Sequence, residues 1–419
     1  MRKPSLGAIF LTVFLDLLGF GLVIPFLSAN ARDTFHTTAL VGTLLGSIYS
    51  LMQFLFVPVW GSLSDRIGRR PILVWSVFAS MLSMAGLGLA LAYSSTVGWL
   101  FLARGLSGMA TANLGTASAY IADITEPKDR ARGMGIFGMA FGLGFVLGPG
   151  IGGQLAEIQI NGRTGSVPCF VAAALSLINF VWVFFGLPES LPSKRTDRTE
   201  EERAKFVAPK RSLMPLNPSG LKRSFAFDGV ARTILVNFII IASFSNLEQT
   251  FPLFTYDLFN MGKRETGLVL MVVGITAAAV QGGLMRKLTK IFSEPSILRA
   301  GVLIMALAFI SNLAAPVFGK WFLYVAGIIM AVGNGLTQPS VSAHVSKCAP
   351  PTEQGTVLGT NQSFASLARV VGPFLAGVLY DIGVRAPFTF ATVGMILAFF
   401  IALPLRPAKA QTGEAPAPA

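Results

Sequence analysis

The sequence predicts an all-α membrane protein of twelve transmembrane helices in two pseudo-symmetric six-helix bundles. Three observations lead there. Of 419 residues, 53% are hydrophobic and only 13% charged, whereas a soluble domain carries about 25% charged residues, so polar surface is too scarce to cover a water-soluble globule. Apolar runs of bilayer length, about 20 residues each, recur along the chain. The second half also repeats the first. Sliding the chain by 224 residues lays Tyr120–Leu155 on His344–Leu379 without a gap. Pro127 then meets Pro351, Gly135 meets Gly359, Gly148-Pro149 meets Gly372-Pro373, and Gly153 meets Gly377. Repeated halves are a transporter architecture, with a substrate site expected near the membrane midplane.

The runs fall near 6–28, 39–60, 71–93, 97–121, 131–155, 168–187, 232–256, 265–286, 296–316, 319–343, 353–380 and 386–405. Arg2 and Lys3 precede the first, which contains Asp16 and lacks a convincing cleavage site, so it reads as an uncleaved span. The expected organisation is a bundle over 1–187, a cytoplasmic linker over 188–231, a second bundle over 232–405 and a disordered tail over 406–419. The linker is Pro-interrupted and basic, with Lys194, Arg195, Arg198, Arg203, Lys205, Lys210, Arg211, Lys222 and Arg223. With both termini cytoplasmic, Arg32, Arg163, Lys263, Arg264, Lys320 and Arg385 lie outside, and most of the 33 basic residues lie inside. That is the bias the positive-inside rule demands. It also accounts for the net charge of +13 without nucleic acid, since no basic-aromatic interleaving resembles an RNA platform. Cys169 and Cys348 show no pairing or metal spacing, and His36 and His344 lie far apart, so no zinc site is expected.

Three features carry chemistry. Gly61–Pro71 (GSLSDRIGRRP) packs Asp65, Arg66, Arg69 and Arg70 into one short loop, with Gly61 and Gly68 permitting a tight turn. From composition alone it is first a topology anchor. The fifth run holds Gly142, Gly144, Gly148, Pro149, Gly152 and Gly153, a close-packing face loosened where Pro149 removes a backbone hydrogen bond. Finally, Asp16 lies ten residues into the first run, Arg104 early in the fourth and Glu248 midway along the seventh. A charge at the bilayer centre costs roughly 2.5–3.5 kcal/mol on insertion scales, so each is a functional candidate. The structural alternative pairs Asp16 or Glu248 with Arg104. The functional reading makes a carboxylate carry a coupling proton, Glu248 first and then Asp16. Gln53, Asn113, Asn246, Gln281, Asn334, Gln338, Asn361 and Gln362 add neutral hydrogen-bonding groups, most simply explained by a shared wet cavity. Phe20, Phe251, Phe254 and Phe364 could line its apolar part, although each aromatic is individually better explained by packing.

GSLSDRIGRRP resembles the loop signature of the major facilitator superfamily, especially its drug/H+ antiporter branch, which includes tetracycline efflux proteins. The fifth-run glycines resemble that branch's antiporter signature, repeated more weakly by Gly372-Pro373, and LDLLGFGLVIP around Asp16 resembles its first-span acidic motif. The resemblance implies the major facilitator fold and extends over essentially the whole chain. It implies that Asp65 caps the eleventh span and that Arg69 pairs with Asp123, contacts that stabilise an outward-open state and break during transport. It further implies that Arg104 pairs with, or tunes, a carboxylate. Gln53 and Gln281 match glutamines of the tetracycline exporters. The acids of their third and ninth spans are missing at Leu82-Ser83-Met84 and Ile304-Met305-Ala306, and a span-eight histidine is replaced within Ala277–Ala279. The second copy of the charged loop, Gly283–Pro295, has Lys287 in place of Asp65.

The expected activity is therefore proton-coupled efflux of small lipophilic or drug-like molecules by alternating access, without a cofactor, metal or catalysis. The expected setting is the inner membrane, the expected state a monomer, and the partners are substrate, protons and lipid. The alternative is a proton-coupled importer or exchanger of a metabolite such as a sugar, organic acid, siderophore or lipid. An enzyme is disfavoured because the glycine-rich stretches lie inside apolar helices and not between a strand and a helix.

Overall fold

Several helices begin where the sequence supplies a cap or a tight turn. The computed structural model describes residues 5–125, 130–191, 193, 214–350 and 353–407. Its α-helices are α1 (Leu6–Phe35), α2 (Ala39–Ile67), α3 (Arg69–Tyr93), α4 (Gly98–Ala110), α5 (Leu114–Ile124), α6 (Arg130–Ala156), α7 (Ser166–Gly186), α8 (Pro218–Phe225), α9 (Val230–Phe259), α10 (Lys263–Ala279), α11 (Met285–Leu288), α12 (Glu294–Phe318), α13 (Phe322–Lys347), α14 (Gln354–Ile382) and α15 (Ala386–Ala402). Thr111–Asn113 form a 3-10 turn between α4 and α5, and Val280–Leu284 wind as a π-helix between α10 and α11. Beyond an isolated bridge between Ile160 and Arg163, the described residues contain no strand. Nine candidate spans among them are long and apolar enough to cross a bilayer. The remaining expected spans are carried by α4 with α5, by α13 and by the shorter α15. Much of the expected linker and nearly all of the expected tail lie outside the described residues.

Ser5 Oγ accepts from Ala8 N at 3.2 Å to start α1, and Thr38 Oγ1 accepts from Val41 N at 3.4 Å to start α2. Asn217 followed by Pro218 starts α8 in the same way, inside the segment expected as linker. α1 and α9 both stop at a left-handed residue that is not glycine, His36 and Asn260, residue types that tolerate this conformation better than most.

The repeat runs through most of the helical scaffold. Leu6 and Val230, Phe35 and Phe259, His36 and Asn260, Ala39 and Lys263, Gly98 and Phe322, and Arg130 and Gln354 each stand 224 residues apart as starts, ends or caps of equivalent helices. Packing repeats as well. A methyl group added at Gly148 of α6 would come within 2.6 Å of Gly21 Cα in α1. A methyl group at the equivalent Gly372 of α14 would lie 2.5 Å from Ala242 O and 3.1 Å from Ser245 Cβ in α9. Ser245 is the counterpart of Gly21. Where lipid removes the hydrophobic drive between helices, such backbone-to-backbone van der Waals contact holds them together.

Two compact units result. Unit 1 comprises Met1–Pro215 with Met261–Met271, and unit 2 comprises Leu216–Asn260 with Val272–Ala419. In unit 1, Leu22, Val23, Leu27, Leu45, Leu87, Leu91, Leu100 and Cys169 form one buried apolar cluster. Unit 2 buries Val280, Met285, Ile297 and Leu336 together.

Gly148→Val places two methyl groups where backbone atoms of α1 already sit. Purified protein should lose about 1–3 kcal/mol, the usual effect of overpacking, read as a lower melting temperature in detergent. Gly86→Ala, where an added Cβ meets nothing within 4 Å, should leave the melting temperature unchanged.

Candidate functional site

The break between α4 and α5 organises the polar interior of unit 1. Thr111 Oγ1 bonds back to Ser107 O at 2.9 Å, the carbonyl that also accepts from the Thr111 backbone N–H. The turn presents Asn113, whose Nδ2 donates to Asp16 Oδ2 on α1 at 3.3 Å and to Ser76 Oγ on α3 at 2.7 Å. Asn113 and Ser76 are buried, and Asp16 is partly buried. Asp16 Oδ1 is itself buried, with no hydrogen-bond partner among the described residues. One carboxylate oxygen is thus held by an amide while the other stays uncommitted, a geometry that suits proton gain and loss.

Arg104, fully buried, does not pair with Asp16. Its Nε donates to Leu45 O at 3.4 Å, and its guanidinium carbon lies 4.2 Å from the centroid of the Tyr49 ring. An aromatic face accepts a cation through its quadrupole, an attraction strengthened by removal from water. Thr111 Oγ1 lies 2.6 Å from the Tyr49 hydroxyl, and Gln53 Nε2 lies 3.5 Å from it and 3.4 Å from Thr111 O. The Phe20 ring packs on Tyr49 at 5.2 Å and on Phe145 at 6.0 Å. The structure therefore joins Asp16 to Asn113, and Gln53 to the Tyr49 ring beneath Arg104. Ser76, Tyr49 and Thr111 complete the arrangement. Nothing in the sequence singled them out, because each is an ordinary residue made important by a neighbouring helix.

The other expected residues lie in unit 2 and are more dispersed. Glu248 is partly buried on α9. Asn246 turns to the start of α15, donating to Pro387 O at 3.2 Å, and Asn361 Oδ1 accepts from Asn237 Nδ2 at 2.9 Å. Asn334 and Gln338 are partly buried on α13, while Gln281 in the π-helix and Gln362 on α14 are exposed. Phe251 is buried, and Phe254 packs with ring centroids 4.2 Å from Phe388.

The charged loop forms a compact network at the α2–α3 junction. Arg69 is buried and pairs with Asp65, donates from Nε to Asp123 Oδ2 at 3.1 Å and reaches Ser64 Oγ at 2.7 Å. Arg66 is exposed, and Arg70 bonds Phe184 O. Glu189 is the residue the sequence concealed. Its carboxylate accepts from Arg69 N at 2.9 Å and Arg70 N at 3.2 Å, and from the backbone of Ser190 and Leu191. It thereby caps α3 from 120 residues away. Gly68 makes the cap possible: its φ is +114°, and a Cβ there would lie 2.4 Å from Glu189 Oε2. A cation at a helix N-terminus and an anion at a C-terminus both oppose the helix dipole. Arg69 opens α3 and Asp123 closes α5, so both oppose it, and each is held by counter-charges. Unit 2 carries the reverse: Glu294 opens α12 and is paired with Lys347, which closes α13, so both follow their dipoles. Among the described residues no cluster of His, Cys, Asp or Glu could hold a metal.

A family model described as Major Facilitator Superfamily matches residues 9–319 and 288–419. The chain is 33% identical over 372 residues to tetracycline resistance protein class C of Escherichia coli, covering 88% of each protein. It is 30% identical over 406 residues to multidrug resistance protein 1 of Bacillus subtilis, covering 96% of each. Among solved structures, the human organic anion transporter MFSD10 (TETRAN) superposes with a TM-score of 0.69 at 25% identity, over 96% of this chain and 100% of that one.

Removing the Glu189 cap leaves buried N–H groups of α3 unanswered. Glu189→Ala should destabilise the purified protein by about 1–2 kcal/mol, the range for losing an N-cap, whereas Arg66→Ala, at an exposed position, should stay within about 0.5 kcal/mol. Thermal unfolding of both variants in one detergent measures the difference.

Proposed function

We propose that this chain, which belongs to the Major Facilitator Superfamily, exports small lipophilic or drug-like molecules in exchange for protons by alternating access. It is a multi-pass membrane transporter and not an enzyme. The observation carrying the finer reading is the Asp16 carboxylate, bonded through one oxygen to Asn113 at the α4–α5 break while the other is buried among apolar helices. A carboxylate so placed can exchange a proton for a substrate without permanent neutralisation by a partner. Glu248, partly buried on α9, is the second proton-carrying candidate. Arg104, seated on Tyr49, sets the local potential and need not itself titrate. Gln53 and Asn113 supply polar contacts to substrate, with Phe20 and Phe145 as an adaptable apolar wall. The Asp65–Arg69–Asp123 network with Gly61, Gly68, Arg66 and Arg70 serves as a conformational gate. Resemblance to exporters named for tetracycline and multidrug resistance supports efflux. The protein works as a monomer in the inner membrane with both termini cytoplasmic, and it draws on the proton gradient without a bound cofactor.

The second reading, proton-coupled uptake or exchange of a metabolite such as an organic acid, draws support from the similarity to a human protein named an organic anion transporter. Transport of a panel of lipophilic cations and organic anions in proteoliposomes with an imposed pH gradient separates the two. Exchange of protons for lipophilic compounds predicts export that stops when the gradient collapses. Asp16→Asn and Glu248→Gln should each lower gradient-driven transport by about tenfold or more, the effect of ~1.4 kcal/mol on a barrier. Export that ignores both the gradient and the two substitutions would refute the proton-coupled reading.

A further inference from the structure

The connection after α11 is built differently from its counterpart in unit 1. The loop between α2 and α3 turns charge inward, where Arg69 is met by Asp65 and Asp123. Between Gly283 and Ser293 no acidic residue occurs, and Arg286, Lys287 and Lys290 are all exposed. None of the three makes a side-chain hydrogen bond or an ion pair among the described residues. The next acid, Glu294, is taken by Lys347.

The segment is nonetheless firmly held. Met285 is buried, and Leu288 packs on the cluster of Val280, Met285, Ile297 and Leu336. Thr289 Oγ1 bonds to Met285 O at 2.9 Å, and the N–H groups of Ile291 and Phe292 reach Leu288 O at 3.0 and 2.8 Å, so the winding carries on past α11. With Met285 and Leu288 turned inward, helical spacing puts Arg286 and Lys290 on one outward row and Lys287 and Ile291 on the next. Like charges four residues apart on a helix repel, and an anion laid across them relieves that repulsion.

Two large apolar side chains complete the surface. Ile291 is 73% exposed and Phe292 53% exposed. They lie between the candidate spans Lys263–Leu288 and Glu294–Phe318, and so at the membrane boundary. The basic residues alone could be put down to the helix dipole, which favours cations at a C-terminus. The dipole gives no reason for Ile291 and Phe292 to stand uncovered beside them. Cations joined to exposed apolar groups at the edge of the hydrocarbon match a phospholipid, whose phosphate adjoins its acyl chains. Arg supplies a planar fork for phosphate oxygens and Lys a point charge. Three cations without an acid also favour a headgroup of net negative charge over a zwitterionic one, whose ammonium they repel.

We infer that Arg286, Lys287, Lys290, Ile291 and Phe292 form a binding site for an anionic phospholipid, in which the cations hold the headgroup phosphate and the two apolar side chains enter the acyl layer beside it. The site goes beyond the transport reading and does not depend on it.

Native mass spectrometry of the full-length protein in detergent, titrated with phosphatidylglycerol or phosphatidylcholine, counts the lipids retained. The site predicts that the first phosphatidylglycerol is held about tenfold or more tighter than phosphatidylcholine. That preference should vanish in the variant with Arg286→Gln, Lys287→Gln and Lys290→Gln. A control with Lys222→Gln, Arg223→Gln and Arg232→Gln removes the same charge from other exposed positions and should keep it. Equal retention of the two lipids by the unaltered protein overturns the site. So does equal loss in both variants, which would show attraction by overall charge only. Displacement of the lipid by an equal concentration of inorganic phosphate would mark a free-phosphate site and likewise overturn it. A spin label at Phe292→Cys, the native Cys169 and Cys348 being buried, reads the apolar half in phosphatidylglycerol proteoliposomes. Relaxation by lipid-dissolved oxygen that exceeds relaxation by a water-soluble nickel complex supports insertion. The reverse places the connection in water, open to a soluble partner, and overturns the proposal.

Discussion

A polar side chain on a helix surrounded by apolar helices has to be answered by another helix, because neither water nor lipid tails can do so cheaply. Much of unit 1 follows from that constraint. Asp16 on α1, Ser76 on α3 and Asn113 at the α4–α5 break meet within hydrogen-bonding distance, which ties the three segments together. Arg104 is answered from α2, by Leu45 O and by the Tyr49 ring. The 3-10 turn at Thr111–Asn113 supplies the offset that brings Asn113 to Asp16 while Thr111 reaches Tyr49. A continuous α-helix would separate those two side chains around its axis by a fixed angle.

The same helical scaffold is used twice with different electrostatics. Most equivalent helices begin in register across the halves, and the Gly21–Gly148 contact has its counterpart at Ser245–Gly372. The charged pairs do not match. Arg69 and Asp123 sit against the dipoles of their helices and rely on Asp65 and Glu189, whereas Glu294 and Lys347 sit with theirs. Buried, the unit 1 members depend on one another for compensation, whereas each member of the more exposed unit 2 pair is already favoured by its own helix end.

Fold class was legible because it rests on bulk properties: few charges, recurring apolar runs and a repeat visible in Gly148-Pro149 and Gly372-Pro373. Arg69–Asp123 pairing was legible only through resemblance to a known loop. Asn113 stood out as a lone amide in an apolar run, but its partner Ser76 is one of many serines and acquires meaning only from α3 packing beside the break. The break itself escaped notice because no proline marks it. Glu189 was hidden by sequence distance. The N-terminal signal of α8, Asn217-Pro218, was present but lay within a stretch whose overall composition reads as linker.

Exchange of a proton for a substrate at Asp16 is the claim on which the functional picture turns. Its most direct measurement is proton release on adding a lipophilic compound to purified protein in weakly buffered detergent solution, followed with a pH-sensitive dye. Exchange predicts release by the wild-type protein in proportion to compound bound, and a marked reduction in Asp16→Asn at matched occupancy. Compound bound with no proton released, or equal release from the Asp16→Asn variant, would contradict it.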